Sequence, residues 1–205
     1  MIAIGEVVVA DDPAAWASAG FSVTNDLACI GTVGVQLAGR DDRTRGIVSW
    51  ALRDAPVAGD LSIDGLSTTV AGSPSTCEAA EHPNGSTSID HIVIATPDWP
   101  RTIDALAAVG FELRRERSAS EQMRQGFFRA GEVIIEVVGP PEAARDAGPA
   151  RFYGLALTVA DLDETKRFFG ARTSEPKSAV QPGRRITTLH HRDVGITTAI
   201  AFMSR

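Results

Sequence analysis

The feature of this 205-residue chain that most constrains its fold is one order of strand and helix signals that recurs along it. The clearest copy follows residue 88. A β-branched stretch at 90–95 predicts a strand, and apolar residues at helical spacing over 99–109 predict a helix that ends at Gly110. Further strands are predicted at 111–116, 123–129 and 133–138. The order of this copy is β-α-β-β-β.

Two other segments repeat this order more loosely. Residues 2–39 begin with a strand, continue with a short helix, and close with the apolar strand 33–39. Residues 152–203 give a third copy, in which Asp161 and Glu164 have the spacing of a helix N-terminal capping box. We therefore predict an α+β protein that is made of repeated βαβββ modules.

A stretch with the composition of a linker divides the chain into two units. Residues 72–88 are rich in Ser, Gly, Pro and Thr and have no periodicity, which predicts a linker or a long surface loop. Residues 46–72 keep a first and a last strand, but 55–62 leave no room for a helix between them. We expect one unit at 1–72, a linker at 73–88, and a second unit at 89–205 with modules 89–139 and 152–203.

Composition argues against several classes of protein. The net charge is −6 and the basic residues are scattered, which is not typical of a nucleic-acid-binding face. The N-terminus lacks the basic region of a signal peptide, and no apolar run approaches the roughly 20 residues that span a bilayer. Cys29 and Cys77 have no CxxC spacing, so we expect two reduced thiols in a soluble, cytoplasmic protein.

A carboxylate interrupts an otherwise apolar strand. Glu136 stands between 133–135 and 137–138, which are Val and Ile only. Burial of an unpaired carboxylate costs several kcal/mol, so Glu136 requires a cation, a hydrogen-bond network or water. If the face that carries Glu136 lines a cavity, this residue is a candidate site residue. A solvated face on an edge strand is the alternative.

Three histidines are candidates for a site. His91 opens the strand at 90–95, and it is either a hydrogen-bonded structural residue or a ligand-binding one. His190 and His191 are adjacent, and successive side chains of a strand point to opposite faces, so the two cannot both serve one site. We take His190 as a candidate for substrate binding, with a surface position as the alternative.

The predicted strand 123–129 carries two arginines. Strand alternation places Arg124, Gly126 and Phe128 on one face, and Gln125, Phe127 and Arg129 on the other. An arginine that faces a cavity would bind a carboxylate or phosphate of a ligand. We name Arg124 and Phe128 as candidate substrate-binding residues, with a solvated arginine as the alternative. No P-loop, GxGxxG, HExxH or GxSxG motif supports a nucleotide-binding or hydrolase function.

Several segments resemble the vicinal oxygen chelate superfamily, which includes glyoxalases and bleomycin-resistance proteins: IDHIVIATPD, VGFELRR, MRQGFFRAGEVIIEVVGP and VGITTAIAFMS. The resemblance covers residues 89–205 well and 2–72 loosely. It implies curved mixed sheets that form a glyoxalase-like half-open barrel around a small-molecule ligand, with a degenerate N-terminal copy. It also implies a divalent metal, held by residues on the first and last strands of each module.

The resemblance places the metal ligands of one module on His91 and Glu136, and Glu136 or a neighbouring base would move a proton during catalysis. A histidine with carboxylate oxygens would suit Zn²⁺, Ni²⁺, Mn²⁺ or Fe²⁺. In the next module the matching positions are Gly154 and Ile200 or Ala201, which cannot bind a metal through their side chains. The missing second histidine at Gly154 argues against an extradiol dioxygenase.

The matching positions of the N-terminal module are Glu6 and Gln36, which can both donate an oxygen to a metal. Two arrangements follow. Residues 1–72 form a separate unit without a complete site, or modules 2–39 and 89–139 pair and bring Glu6, Gln36, His91 and Glu136 together.

Two functions are compatible with this sequence. The first is a metal-dependent lyase or isomerase of the glyoxalase type, in which the metal acts as a Lewis acid on a substrate carbonyl or enediolate. The second is a protein that sequesters a drug or metabolite without chemistry. The incomplete ligand set favours the second, and the retained His91 and Glu136 favour the first. The resemblance also makes a homodimer a reasonable expectation, although tandem modules could equally suffice as a monomer.

Overall fold

The computed structural model describes residues 1–41, 43–70, 77–143 and 147–205. The first part of the chain forms sheet 1 and helix α1. The elements are β1 Ala3–Val9, α1 Pro13–Ser18, β2 Leu27–Ile30, β3 Val33–Leu37, β4 Ile47–Arg53, β5 Gly59–Ile63 and β6 Leu66–Val70. The strand order of sheet 1 is β2-β3-β1-β4-β6-β5.

The second part forms sheet 2 and two helices. The elements are β7 Ser86–Ala95, α2 Trp99–Val109, β8 Leu113–Ser120, β9 Met123–Ala130, β10 Val133–Gly139, β11 Arg151–Val159, α3 Leu162–Phe169, β12 Lys177–Ser178, β13 Arg185–Thr188 and β14 Ala199–Met203. The strand order is β12-β13-β14-β11-β7-β10-β9-β8. Single 3-10 turns lie at Gly170–Arg172, directly after α3, and at His191–Val194, between β13 and β14.

Each sheet is built from two modules that meet at a central antiparallel pair. In sheet 1 this pair is β1–β4, and in sheet 2 it is β7–β11. Within each module the first and last strands are parallel neighbours, as in β1–β3, β7–β10 and β11–β14. Modules that are adjacent in the chain therefore pair with each other. The predicted α+β fold with repeated modules and curved mixed sheets is confirmed, and the pairing of module 2–39 with module 89–139 is wrong.

Helices α2 and α3 cover one face of sheet 2. The side chain of Asp98 caps α2 by accepting from the amide of Arg101, and Gly110 ends the helix with φ 105°. Asp161 caps α3, as predicted, by accepting from the amides of Asp163 and Glu164. Buried apolar side chains such as Leu106 of α2 and Phe169 of α3 lie in the core with the buried residues of sheet 2. The opposite face of sheet 2, which carries neither helix, is called the helix-free face below.

Three local predictions differ from the structure. Residues 2–39 form three strands instead of four, because Asn25 and Asp26 have positive φ and make a turn where a further strand was expected. Residues 46–70 gain the short strand β5 and, as predicted, contain no helix. Strand β13 ends at Thr188, so the residues around His190 and His191 are not part of a strand.

The prediction of two reduced thiols is also wrong. Cys29 of β2 and Cys77 form a disulfide, with Cα atoms 5.5 Å apart and a sequence separation of 48 positions. Residues 73–76 of the predicted linker lie outside the described residues, whereas Ala80 and His82 beside this disulfide contact strand β2 at the carbonyl of Cys29. His82 is 7% exposed, accepts a hydrogen bond from the amide of Ser22 at Nδ1, and donates from Nε2 to the carbonyl of Cys29.

The two sheets share one apolar core. Trp50 of sheet 1 contacts Phe111 and Phe152 of the second part of the chain, with ring centroids 6.4 and 5.1 Å apart. Residues from both sheets belong to the same buried cluster. Across the described ranges, no helix has both the length and the apolar character that a membrane crossing would require.

Candidate functional site

His91 and Glu136 lie on the helix-free face because of strand alternation. Ile92 follows His91 in the sequence, Ile135 precedes Glu136, and both isoleucines are fully buried in the core. Because successive side chains of a strand alternate in direction, His91 and Glu136 point to the opposite face. Strands β7 and β10 are parallel, and Glu136 is paired with Val93, two positions beyond His91. This register brings Nε2 of His91 to 3.4 Å from Oε2 of Glu136. The side chains are 16% and 13% exposed, so both are largely shielded from solvent but accessible.

Asp90 fixes the imidazole of His91. Strand β7 has an irregular register beside β11 between Ile89 and His91, and this irregularity brings Asp90 next to the His91 ring. Oδ1 of Asp90 lies 2.9 Å from Nδ1 of His91. An ionised carboxylate only accepts hydrogen bonds, so Nδ1 carries the proton and Nε2 is the nitrogen that faces Glu136.

Arg184 holds Asp90 in place from the last module. Its guanidinium donates to Oδ2 of Asp90 at 2.7 Å and, through Nε, to the carbonyl of Ser204 at 2.7 Å. Burial raises the pKa of Asp90, but the hydrogen bonds from His91 and Arg184 and the charge of Arg184 outweigh it and hold the pKa below its usual value. Asp90 is therefore ionised at neutral pH.

Glu136 is held on its other side by an amide. Nε2 of Gln125 on β9 donates to Oε1 of Glu136 at 2.5 Å, and Oε1 of Gln125 accepts from Nε of Arg117 on β8 at 2.5 Å. The arginine contact determines which end of the Gln125 amide faces Glu136. Together these contacts form a continuous polar row across sheet 2: Arg184, Asp90, His91, Glu136, Gln125 and Arg117.

The matching positions of the last module contribute no metal ligand. Gly154 and Ala201 lie on strands β11 and β14, on the same face as His91. A Cβ atom at Gly154 would lie against the backbone carbonyl of Ala199 at an impossibly short distance, so no longer side chain fits there. Among the described residues, no cluster of three or more His, Cys, Asp or Glu side chains could hold a metal ion. The donors present, one imidazole and one carboxylate, do not fit a resident metal with three or four protein ligands.

The other two predicted metal ligands lie on sheet 1. Glu6 is paired with Gly34, and Gln36 with Val8, which is the same relative register as that of His91 and Glu136. The amide of Gln36 donates to the carbonyl of Asp26. A Cβ atom at Gly34 would lie 3.6 Å from the sulfur of Cys77, so the disulfide covers this part of sheet 1. The structure brings His91 and Glu136 together, but not with Glu6 and Gln36.

The predicted substrate-binding residues lie elsewhere. Arg124 lies over the ring of Trp99 in α2 and forms an ion pair with Glu116, so it is on the helix-covered face. Phe128 is 1% exposed and belongs to the core. His190 is 46% exposed in its side chain and lies 3.9 Å from Asp193, outside the polar row. Their proposed contacts with a substrate stay predictions, and these positions give them no support.

Four residues of the polar row were not identified from the sequence. Strand alternation places Gln125 on the face of β9 opposite Arg124 and Phe128. From the sequence we selected the face of Arg124 and Phe128, whereas the face of Gln125 contacts Glu136. Arg117 follows from the pairing of β8 with β9, which places it opposite Gln125. Asp90 and Arg184 depend on a strand irregularity and a loop, which leave no periodic signal in the sequence.

Comparisons with known proteins support the fold. No protein-family model matches the chain, and no curated protein matches it in sequence. The fold is similar to that of a homoprotocatechuate 2,3-dioxygenase variant from B. fuscum, with 13% identity, TM-score 0.66, and coverage of 99% of this chain and 70% of that one. It is also similar to a mutant 4-hydroxymandelate synthase from Streptomyces coelicolor, with 14% identity, TM-score 0.65, and coverage of 99% and 92%.

A third match is shorter. Methylmalonyl-CoA epimerase from Mycobacterium tuberculosis matches at 22% identity and TM-score 0.46, over 58% of this chain and 89% of that one. At these identities the similarity concerns the fold and not the activity. The module order, the central antiparallel strand pairs and the full-length matches agree, and the chain has the fold of the vicinal oxygen chelate superfamily.

Proposed function

We propose that this protein binds a small molecule on the helix-free face of sheet 2, between the polar row and the strands of the last module, and that it does so without a resident metal. The observation that carries the proposal is the contact of His91 with Glu136. Two polar side chains with little exposure face each other at 3.4 Å on a surface that both helices leave free. Burial of polar groups in such a network costs free energy of folding unless each group has a hydrogen-bond partner in the protein or in a ligand.

The surface around this pair has the composition of a ligand site. Strand pairing places Phe127 next to Glu136, and Ala156 next to His91, on the same face. Val93 is the partner of Glu136 on β7 and is half-buried. Small-molecule sites typically combine an apolar lining with a few polar groups in fixed positions. Ala201 of the last module is paired with Ala156, has a small side chain and is partly exposed.

A metal-dependent lyase or isomerase is the second candidate. The adjacency of His91 and Glu136, at the positions that the family resemblance implies, is the observation in its favour. The glycine and the alanine at the other two positions argue against it, since they leave two protein donors. Sequestration of a ligand requires no metal, and the two-donor geometry of His91 and Glu136 supports it better.

Fragment binding to isotope-labelled protein tests the proposal. A mixed panel of neutral, anionic and cationic aromatic fragments is added, and the shifted amide signals are mapped on the chain. We expect signals of β7, β10 and β14 to shift. A variant that fills the face, Ala201→Phe, should abolish the shifts, whereas Ser67→Phe on an exposed position of sheet 1 should leave them unchanged.

The proposal would be rejected by either of two results. One is that the panel produces no shifts on the helix-free face of sheet 2. The other is that the shifts persist when Phe occupies position 201. Binding that appears only when Zn²⁺, Mn²⁺, Ni²⁺ or Fe²⁺ is supplied would favour the metal-dependent candidate instead.

A further inference from the structure

A cleft of about 230 Å³ lies at the junction of the two sheets, apart from the polar row. Its described lining comes from the start of the chain, the turn after β4, the end of α2 with the start of β8, and the end of β9. Pockets for drug-sized ligands have about 300–1,000 Å³. The volume of this cleft therefore suits a smaller molecule.

Close packing between the two parts of the chain forms the walls of this cleft. Gly110 at the end of α2 lies so near sheet 1 that a Cβ atom there would be 3.4 Å from side-chain atoms of both Ile2 and Pro56. Ile2 is 8% exposed, and Phe111, which follows Gly110, is 4% exposed. Both lining side chains belong to the shared core. The cleft is therefore part of the folded structure and has an apolar floor.

Arg129 of β9 contributes a positive charge to this cleft. Its Nε donates to the carbonyl of Gly131 at 2.9 Å, which holds the side chain in place. Among the described residues, its terminal nitrogens form no ion pair. The other arginine of the lining, Arg114, forms an ion pair with Glu112 at 3.0 Å. Arg129 is therefore the arginine of the cleft whose charge is available to an anionic group of a ligand.

Asp54 contributes a negative charge to the same cleft. It lies in the turn after β4 with φ 57°, a conformation that Asp and Asn adopt more readily than most residues with a side chain. Within the described ranges, no basic side chain, including that of Arg129, lies within ion-pair distance of its carboxylate. Two opposite charges that line one cleft without contacting each other are complementary to a ligand that carries both charges.

We propose that this cleft binds a small zwitterion of the α-amino acid class with an apolar side chain. The carboxylate of the ligand accepts hydrogen bonds from the terminal nitrogens of Arg129, since a guanidinium matches the geometry of a carboxylate. The ammonium group donates to the carboxylate of Asp54, and the apolar side chain lies on Ile2 and Phe111. This site is separate from the polar pair of the proposed function and does not depend on it.

Three probes that share a phenyl group test this inference. L-Phenylalanine carries both charges, 3-phenylpropanoate lacks the ammonium group, and 2-phenylethylamine lacks the carboxylate. We expect L-phenylalanine to bind about 5-fold more tightly than either of the others, which is the upper range for an ion pair with exposed partners. Titrations of isotope-labelled wild-type protein at neutral pH give the three affinities. Shifts of the amides of Ile2, Gly110 and Phe111 localise the binding to the cleft.

Two variants test the two charged residues separately. Arg129→Gln should weaken binding of L-phenylalanine about 5-fold and leave that of 2-phenylethylamine unchanged. Asp54→Asn, which keeps a residue suited to positive φ, should weaken L-phenylalanine equally and leave 3-phenylpropanoate unchanged. Arg115→Gln, at an exposed position of β8 outside the cleft, should change none of the three affinities. A general loss of structure would weaken all three probes alike and would not give this crossed pattern.

The inference is overturned if either singly charged probe binds as tightly as L-phenylalanine, or if neither variant separates the probes. It is also overturned if L-phenylalanine and L-leucine at millimolar concentration leave the amides of the cleft unshifted. Shifts that are confined to β7 and β10 would reject this inference and leave the proposed function standing.

Discussion

Oδ2 of Asp11 accepts hydrogen bonds from both the backbone amide and the hydroxyl of Thr198, which lies 187 positions further along the chain. The other oxygen of Asp11 accepts from the amide and hydroxyl of Thr197. Asp11 follows the first strand of sheet 1, and the two threonines precede the last strand of sheet 2. One fully buried carboxylate therefore joins the two ends of the chain.

Substitution of this carboxylate is expected to destabilise the whole fold. In Asp11→Asn an NH₂ group would replace one of the two carboxylate oxygens. The buried N–H and O–H groups of the threonine on that side would then lose their acceptor. We expect a loss of about 2–3 kcal/mol in the free energy of unfolding. Urea unfolding followed by circular dichroism measures it. Asp104→Asn, on an exposed position of α2, should change stability by less than about 0.5 kcal/mol. Equal stability of the two variants would show that the contact of Asp11 with Thr198 contributes little.

The disulfide gives a second prediction for stability. Cys29 and Cys77 are 48 positions apart in the sequence, and a cross-link over such a loop lowers the entropy of the unfolded state, which stabilises the fold by about 4 kcal/mol in the loop-closure account. Addition of dithiothreitol should therefore lower the midpoint of thermal unfolding. The double variant Cys29→Ser/Cys77→Ser should unfold at the lower temperature with or without the reductant. A wild-type midpoint that does not respond to reduction would contradict this expectation.

His82 gives a prediction for pH dependence. Burial lowers the pKa of His82 below its ordinary value, and this effect outweighs its hydrogen bond to the carbonyl of Cys29. The unfolded chain then binds a proton near pH 6.5 that the folded chain does not yet bind. The stability that the neutral His82 ring contributes is therefore fully present above about pH 6.5. It is lost as the pH falls from about 6.5 towards the lower pKa that His82 has in the folded protein.

The check is the difference between two variants over pH 5 to 8. His82→Gln should reduce the loss of stability between neutral and mildly acidic pH. His190→Gln, at an exposed position, should keep the slope of the wild type. If the slope of His82→Gln equals that of the wild type, the buried ring of His82 does not contribute to the acid sensitivity.

The periodic parts of the fold could be predicted from the sequence. The helix over Trp99–Val109 and its end at Gly110 follow from apolar spacing and a glycine cap, and both agree with the structure. The β-branched strands β7 and β10 were placed with errors at their ends, such as the start of β7 at Ser86. These elements are determined by local signals, and the order of the modules then limits the topology.

The candidate site could be predicted only in part. His91 and Glu136 stand out because each is polar within an apolar strand, and the structure places them in contact. The face of β9 that meets Glu136 depends on packing against α2, which selected Gln125 and not Arg124. Pairing of Cys29 with Cys77 depends on the path of the chain after sheet 1, for which two isolated cysteines carry no local signal.

Elemental analysis of the purified protein tests the central claim most directly. The protein is exposed in turn to Zn²⁺, Mn²⁺, Ni²⁺ and Fe²⁺, passed through a desalting column, and assayed for bound metal. Within the described ranges His91 and Glu136 are the two candidate donors at this site, so we predict well under one equivalent of each ion, with the same value for His91→Ala/Glu136→Gln. One equivalent of any of these ions in the wild type, lost in the double variant, would contradict the account and establish a metal centre.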